Sequence, residues 1–150
     1  DNFWRLFIQV FPEVKEYLEA EPQTAASRYR DNNTGGNIIF RPVTLLQMIK
    51  AIVYILTEDN TVTIENILNK YCQIDRNVSG NLWDKIIWNS VSKTMLVNNQ
   101  ILLKYLFVYI YDSSVLKEKH LKDFYQRYEL VKNIDRDSVQ EHLNMLINNA

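Results

Sequence analysis

Apolar side chains recur at intervals of three and four residues along most of this chain, and that spacing predicts a mainly helical protein. The clearest helix is predicted over residues 43–57. Its buried stripe is expected to consist of Leu45, Met48, Ile49, Ile52, Ile55 and Leu56. Thr44 and Gln47 have the spacing of a capping box, so the sequence predicts that Thr44 caps this helix.

Two more helices are predicted in the middle of the chain. Thr63 is suited to cap a helix over residues 64–74, because its hydroxyl can accept a bond from a free backbone N–H. Asn98 or Asn99 is suited to cap another over residues 100–111. The second of these helices is apolar nearly all round, so we expect it at the centre of the core.

Shorter or more amphipathic helices are predicted towards both ends. Residues 115–131 alternate an apolar stripe with a charged face, and Ser138 with Glu141 has capping-box spacing before a last helix. Pro12 interrupts the first apolar pattern and is expected in the first turn of a second helix, where its missing N–H costs nothing. The segment "EPQTAASRYR" that follows is predicted to be a loop or a weak helix.

A minor β element is predicted beside these helices. The β-favouring letters "NIIF" in residues 37–41 follow two glycines, and Pro42 would end a strand there. The apolar triplets "IIW" and "TML" flank the polar letters "NSVSK", which indicates a short hairpin with strands near 86–88 and 94–97. We therefore expect one compact, mainly α, multi-helix domain spanning residues 1–150.

Composition excludes several classes of partner and cofactor. The net charge of −1 does not indicate a nucleic-acid binder, so any basic patch must be made by folding. The single cysteine, Cys72, excludes an internal disulfide and fits a reducing compartment, so a cytoplasmic location is expected. One cysteine and two distant histidines offer no metal-ligand cluster, and no cofactor motif is present. The longest apolar run is too short to span a bilayer and contains Lys104, so no membrane association is expected.

Candidate catalytic groups are few. His120 and Asp123 could act as a base and its orienting group, yet polar pairs three apart are common on helix surfaces and no nucleophile accompanies them. A carboxylate run near the N-terminus has the spacing of a solvated helix face and consists of Glu13, Glu16, Glu19 and Glu21. We therefore expect this chain not to be an enzyme.

The letters "RYRDNNTGGNIIFRP" concentrate two of the three glycines with three arginines. They match neither GxxxxGK[ST] nor GxGxxG, so the nucleotide-loop fingerprints are excluded by spacing. Arg28, Arg30 and Arg41 could still contact DNA phosphates, and Lys93 is a fourth candidate. Alternatively, a carboxylate next to the predicted strand could hold Arg41 in a structural role.

Trp83 and Trp88 stand five residues apart in "NLWDKIIWN". Two indoles could stack on bases or line a ligand site, or they could pack in the core or at an interface with a partner. We expect Trp88 and Asn89 to form a partner surface.

Two segments together resemble one protein family. The segments are "GGNIIFRPVTLLQMIKAI" and "LWDKIIWNSVSKTMLVNNQILLKYLFVYI". They resemble the C-terminal part of DGQHR-domain proteins, a group that includes the DndB-like proteins linked to DNA phosphorothioate modification. The matching residues, in order, are Gly35, Gly36, Phe40, Arg41, Pro42, Trp83, Trp88, Asn89, Lys93, Met95 and Asn98. The resemblance covers roughly residues 30–111.

The resemblance implies a role in bacterial DNA modification, its regulation, or defence against foreign DNA. The family's Asp-Gly-Gln-His-Arg motif is absent here, and in the family it lies upstream, so the chain is expected to be a C-terminal fragment of a longer protein. The leading expectation is a non-catalytic helical domain that assists DNA engagement or assembly with other proteins of a DNA-modification system. The alternative is a plain protein-interaction or structural domain with no nucleic-acid role.

Overall fold

Eight α-helices contain most of residues 2–149, the part of the chain that the computed structural model describes. They are α1 Asn2–Val10, α2 Pro12–Glu19, α3 Pro22–Tyr29, α4 Pro42–Glu58, α5 Ile64–Cys72, α6 Gln100–Tyr111, α7 Glu118–Lys132 and α8 Val139–Asn148. The prediction of a mainly α, multi-helix fold with a minor β element is confirmed. Pro12 lies in the first turn of α2 as expected, whereas the segment predicted to be a loop or a weak helix forms α3.

The predicted hairpin is present, and the predicted strand before it is not. Strands β1 Trp88–Asn89 and β2 Thr94–Met95 pair antiparallel, with Trp88 opposite Met95. The strand expected near 37–41 is wrong, because Ile38–Phe40 forms a single turn of 3₁₀ helix. The Asn37 side chain accepts the N–H of Ile39 at 2.9 Å, which caps that turn and takes a donor that a strand would have used.

Helix α4 begins without the predicted capping box. Pro42 occupies its first turn and Arg41 is the N-cap residue, so Thr44 already lies inside the helix. The Thr44 hydroxyl is buried and has no hydrogen-bond partner among residues 2–149. Gln47 does not reach back to a cap; its side chain donates to the Gln100 side chain at 3.1 Å. The capping-box prediction is therefore wrong for this helix.

The other predicted caps give mixed results. Thr63 caps α5 as expected, and its hydroxyl accepts the N–H of Asn66 at 3.2 Å. Asn99 occupies the N-cap position of α6, but its side-chain amide donates instead to the Ile86 carbonyl at 3.0 Å. Ser138 is the N-cap residue of α8 and makes no side-chain cap bond, so that capping box is also wrong.

Helix α6 lies at the centre of the core, as its continuous apolar character predicts. Its buried residues are Leu102, Leu103, Tyr105, Leu106, Phe107, Val108, Tyr109 and Ile110. Helix α4 runs beside it in the same direction, since Gln47 and Gln100 meet near their first turns and the Lys104 ammonium lies over the Tyr54 ring further along. One cluster of buried hydrophobic side chains extends from Leu6 in α1 to Leu143 in α8.

No helix between residues 2 and 149 combines the length and the hydropathy that crossing a bilayer requires.

Candidate functional site

Residues 28–41, which we call the arginine loop, are folded by their own side chains. The Asp31 carboxylate accepts the backbone N–H groups of Asn33 at 2.7 Å and of Thr34 at 2.9 Å. These two bonds are the largest cause of a lowered pKa at the Asp31 carboxyl. The nearby charge of Lys93 lowers that pKa further. The loop is therefore a fixed turn rather than an open glycine-rich segment.

Both glycines of the loop are required by close contacts. Gly36 has a φ of +75°, and a Cβ placed there would lie 2.0 Å from the carbonyl oxygen of Tyr29. Gly35 has a φ of +80°, and a Cβ there would meet a Val78 methyl at 2.4 Å and the Trp88 ring at 3.1 Å. Positive φ and absence of a side chain let the loop lie directly on the core.

Arg41 fastens the arginine loop from the inside. Its Nε and Nη2 both donate to the Gly35 carbonyl oxygen, at 2.8 Å and 2.5 Å. Burial, followed by the neighbouring charge of Arg30, lowers the pKa of this guanidinium. Arg41 thus has a structural role, which is the alternative considered from the sequence. The group that holds it is a backbone carbonyl and not the carboxylate that was expected.

Arg28 also has a partner within the protein. Its Nη2 lies 3.6 Å from a Glu16 carboxylate oxygen, and both side chains are largely exposed. Its guanidinium lies 5.4 Å from the centre of the Tyr29 ring. Tyr29 in turn donates its hydroxyl to the same Glu16 oxygen at 2.8 Å. Arg28 is therefore tied to α2, although its exposure leaves it accessible.

Arg30 and Lys93 remain exposed around the same loop. Arg30 is the C-cap residue of α3, close enough to Arg41 for its charge to affect that guanidinium. Lys93 lies in the hairpin turn with a φ of +55°, and its charge reaches Asp31. Within residues 2–149 neither side chain has an ion-pair partner. Folding thus brings all four predicted basic residues to one region, with two of them engaged internally.

Trp88 does not form the exposed partner surface that the sequence predicts. Its side chain is only 3% exposed and anchors the base of the hairpin beneath Gly35. Asn89 is half-buried, and its side-chain oxygen accepts the N–H groups of Val91 at 3.0 Å and of Ser92 at 3.1 Å. The two residues therefore hold the hairpin in place, because one packs in the core and the other shapes the turn.

Val91 is the residue at this hairpin that sequence reasoning missed. It is 92% exposed at the tip of the turn. The available signal was a single apolar residue inside the polar letters "NSVSK".

A partly buried ion pair lies beneath the arginine loop, where the sequence predicts a solvated helix face for Glu13. The Arg76 guanidinium binds both oxygens of the Glu13 carboxylate, and the two side chains are only 18% and 11% exposed. Asn37 donates to the same carboxylate at 3.2 Å. Burial alone would raise the pKa of Glu13, but the bonds and the charge of Arg76 outweigh it and lower that pKa. The pair joins α2, the loop and the segment after α5.

His120 and Asp123 do not form the pair considered from the sequence. Nδ1 of His120 lies 2.7 Å from the Tyr54 hydroxyl, while Asp123 pairs with Arg127 at 3.1 Å. Across residues 2–149, no group of three or more His, Cys, Asp and Glu side chains is arranged to hold a metal ion.

Comparison with known proteins gives no relative for this chain: no family model, no curated protein and no solved structure matches it. The similarity to DGQHR-domain proteins therefore stays a prediction that rests on the two sequence segments.

Proposed function

We propose that this chain is a non-catalytic helical domain that binds a protein partner through the hairpin 88–95 and the adjoining arginine loop. The sequence resemblance to DGQHR/DndB-like proteins implies that the partner belongs to a bacterial system for DNA modification, its regulation or defence.

The exposed Val91 at the tip of a fixed hairpin carries this proposal. A valine that is 92% exposed leaves apolar surface for a partner to cover. The turn beneath it is held by the Asn89 side chain and by a 2.6 Å bond between the hydroxyls of Ser92 and Thr94. Trp88 fixes the base of the hairpin in the core. A tip that is already ordered loses little conformational freedom on binding, which favours its use as a contact point.

The basic residues support partner binding over a phosphate cradle. The Arg41 guanidinium uses two of its donors on the Gly35 carbonyl, and Arg28 pairs with Glu16. The Arg41 donors bound to Gly35 are not free to make the bidentate bonds by which arginine holds a phosphate, and the Glu16 carboxylate partly neutralises Arg28.

The proposal is tested by mixing the purified chain with each purified protein encoded beside its gene and measuring complexes by sedimentation velocity. We expect one of these proteins to form a complex, and Val91→Asp to weaken it about tenfold or more, because a charge would then be buried against apolar surface. Leu130→Asp is the matched control, since Leu130 is 73% exposed on α7 and is not part of the hairpin. Equal binding by both variants, or no complex at all, would contradict the proposal.

DNA engagement is a second candidate, favoured by Arg30 in the arginine loop and Lys93 in the hairpin turn, both exposed and without ion-pair partners in the described chain. Anisotropy titrations of a labelled duplex over a range of salt concentrations measure this. Each phosphate contact contributes about 0.9 to the slope of log affinity against log salt. Arg30→Ala with Lys93→Ala should therefore reduce the slope by about 2, while Lys122→Ala on α7 should not. No binding at low salt removes this candidate and leaves partner assembly.

A further inference from the structure

A groove of about 480 Å³ lies where the beginning of α7 meets α4 and α6. That volume is within the range of roughly 300–1,000 Å³ that is usual for small-molecule sites. Its apolar wall is formed by Ile49, Val53 and the ring of Tyr54. The groove is separate from the hairpin and the arginine loop, because none of its lining residues belongs to either.

The charges that line the groove are predominantly positive. Lys50, Lys104 and Lys117 all line it, against one acid, Glu58, which is 3.2 Å from the Lys117 ammonium. Neither Lys50 nor Lys104 has a carboxylate within ion-pair distance among residues 2–149. The groove therefore has an excess of cationic groups that its own residues do not neutralise.

Lys104 is held in position by aromatic rings rather than by an acid. It is half-buried, and its ammonium lies 5.8 Å from the centre of the Tyr54 ring and 5.3 Å from that of Tyr105. Ring faces attract a cation without neutralising its charge. Lys104 is thus an ordered cation whose charge remains available to a ligand.

Tyr54 and His120 add an ordered polar edge to the groove. The Tyr54 hydroxyl oxygen accepts the backbone N–H of Lys117 at 3.0 Å and lies 2.7 Å from His120 Nδ1. We assign the hydroxyl proton to the bond with Nδ1, since that nitrogen is the one acceptor near it in the described chain, and this leaves the imidazole proton on Nε2. Nε2 has no partner within residues 2–149.

The surroundings of His120 favour the neutral form of its ring and hold the ring in place. Burial, followed by the charges of Lys119, Lys117 and Lys104, lowers the pKa of His120, although Asp123 opposes them. The ring stacks on Tyr105, with centres 5.3 Å apart. His120, whose Nε2–H makes no bond within residues 2–149, thus lines the same groove as the lysines.

We propose that this groove binds a small phosphate monoester that carries an aromatic ring, such as a nucleoside monophosphate. Lys50 and Lys104 neutralise the phosphate, and the His120 Nε2–H donates to one of its oxygens. The aromatic ring packs on Val53 and the Tyr54 ring. A phosphate fits this set better than a carboxylate, because its three terminal oxygens can accept bonds from several donors at once.

The test uses AMP, inorganic phosphate and adenosine as probes, and follows the imidazole signals of both histidines by NMR. We expect AMP to shift the His120 signal saturably. His142 is an internal control. Its Nδ1 lies 2.8 Å from the hydroxyl of Tyr128, and Tyr128 is about two helical turns beyond His120 along α7. Inorganic phosphate should bind more weakly than AMP and adenosine more weakly still, since each supplies one half of the recognised molecule. The ranking separates binding of the whole molecule from binding of any phosphate.

Substitutions locate the site. Lys104→Gln is expected to weaken AMP binding about tenfold, because it removes the ordered cation. Val53→Glu should abolish it by placing a carboxylate at the rim, and since Val53 is 59% exposed this variant should fold normally. Lys122→Gln, an exposed lysine of α7 outside the groove, should bind AMP as the parent chain does.

Three outcomes would overturn the proposal. They are no saturable shift of His120 with AMP, binding of adenosine as tight as that of AMP, and an equal loss of binding in Lys122→Gln and Lys104→Gln. An unchanged His142 signal in each variant shows that the fold is intact, so a loss of binding is then a property of the groove.

Discussion

Gly36 places the arginine loop against the last turn of α3, and it can do so because it has no side chain. Its carbonyl accepts the Val78 N–H at 2.9 Å, and the next residue, Asn37, donates its N–H to the Tyr29 carbonyl at 3.0 Å. The loop therefore joins two parts of the chain through backbone atoms alone. Single residues of this kind fix where the basic side chains lie.

Replacing Gly36 with alanine is expected to destabilise the protein by about 1–3 kcal/mol, because the new Cβ would clash with backbone atoms at a positive φ. Urea unfolding measures the change in the free energy of unfolding. Gly80→Ala is the control: its Cβ would meet mainly the Asp75 side chain, which can move, and its φ is not in the positive range. A smaller loss at Gly36 than at Gly80 would contradict this account.

Lys132 is the buried charge for which a pH effect is expected. Its ammonium donates to the carbonyls of Asn81 at 2.9 Å and Asp84 at 2.7 Å. Burial, which is the largest cause, lowers the pKa of Lys132 from 10.5 to about 8; the Asp84 carboxylate opposes this and the Lys85 charge adds to it. Between those two pH values the unfolded chain binds more protons at this residue than the folded chain does.

The stability of the parent chain relative to Lys132→Met should therefore increase as the pH rises from about 8 towards 10. Urea unfolding at a series of pH values gives the difference in the free energy of unfolding. The difference should be constant below pH 8, where the lysine is protonated in both states. A difference that stays constant up to pH 10, or that decreases, would show that burial does not perturb this lysine.

At the scale of elements, helix starts are the features that sequence spacing predicts least well. Thr44 and Thr63 look alike in the sequence, since each precedes an apolar helical stripe. In the structure Thr63 caps α5, whereas Pro42 starts α4 two residues earlier and leaves the Thr44 hydroxyl buried without a partner among the described residues. A proline with its fixed φ is already suited to the first helical position, so the helix begins there and not at the threonine.

The two threonines should respond differently to removal of the hydroxyl. Thr63→Ala is expected to cost about 0.5–2 kcal/mol, because a cap bond to Asn66 is lost. Thr44→Val removes a buried hydroxyl that has no partner in the described chain and should be neutral or stabilising, by up to about 1 kcal/mol. Thermal or urea unfolding compares the two variants. A loss of stability in Thr44→Val as large as that in Thr63→Ala would restore the capping-box interpretation.

At the scale of the whole molecule, the sequence predicts the helical core better than it predicts the surface site. The pattern identifies α6 as the central helix, because residues 101–111 are apolar or aromatic apart from Lys104 and leave no polar face. It also places the hairpin, because polar letters separate two apolar triplets. It does not identify the Glu13–Arg76 pair, whose members are 63 residues apart. Nor does it show that Trp88 lies beneath Gly35, since that contact also depends on tertiary packing.

Breaking the Glu13–Arg76 pair should affect the entire fold, because it joins α2 to the segment after α5. Glu13→Ala leaves the Arg76 guanidinium largely buried without its carboxylate, so a loss of about 3 kcal/mol is expected. Arg127→Ala breaks the exposed pair with Asp123 and should cost less than about 1 kcal/mol. Differential scanning calorimetry compares the two variants. Equal losses would mean that the Glu13–Arg76 pair contributes no more than an exposed pair.

The parallel arrangement of α4 and α6 has a kinetic consequence. Gln47 in the second turn of α4 meets Gln100 at the start of α6, and the two residues are 53 apart in the chain. The ends of the long segment between them must come together before the two helices can pack. The chain therefore loses conformational entropy before it gains from packing. On a ribosome, α4 emerges well before the apolar helix that completes it. Newly made chains therefore expose α4, and then α6, to other nascent chains until the two helices pack. For the same reason, rapid dilution should recover more native protein than slow dialysis from urea, which keeps partly folded chains together for longer.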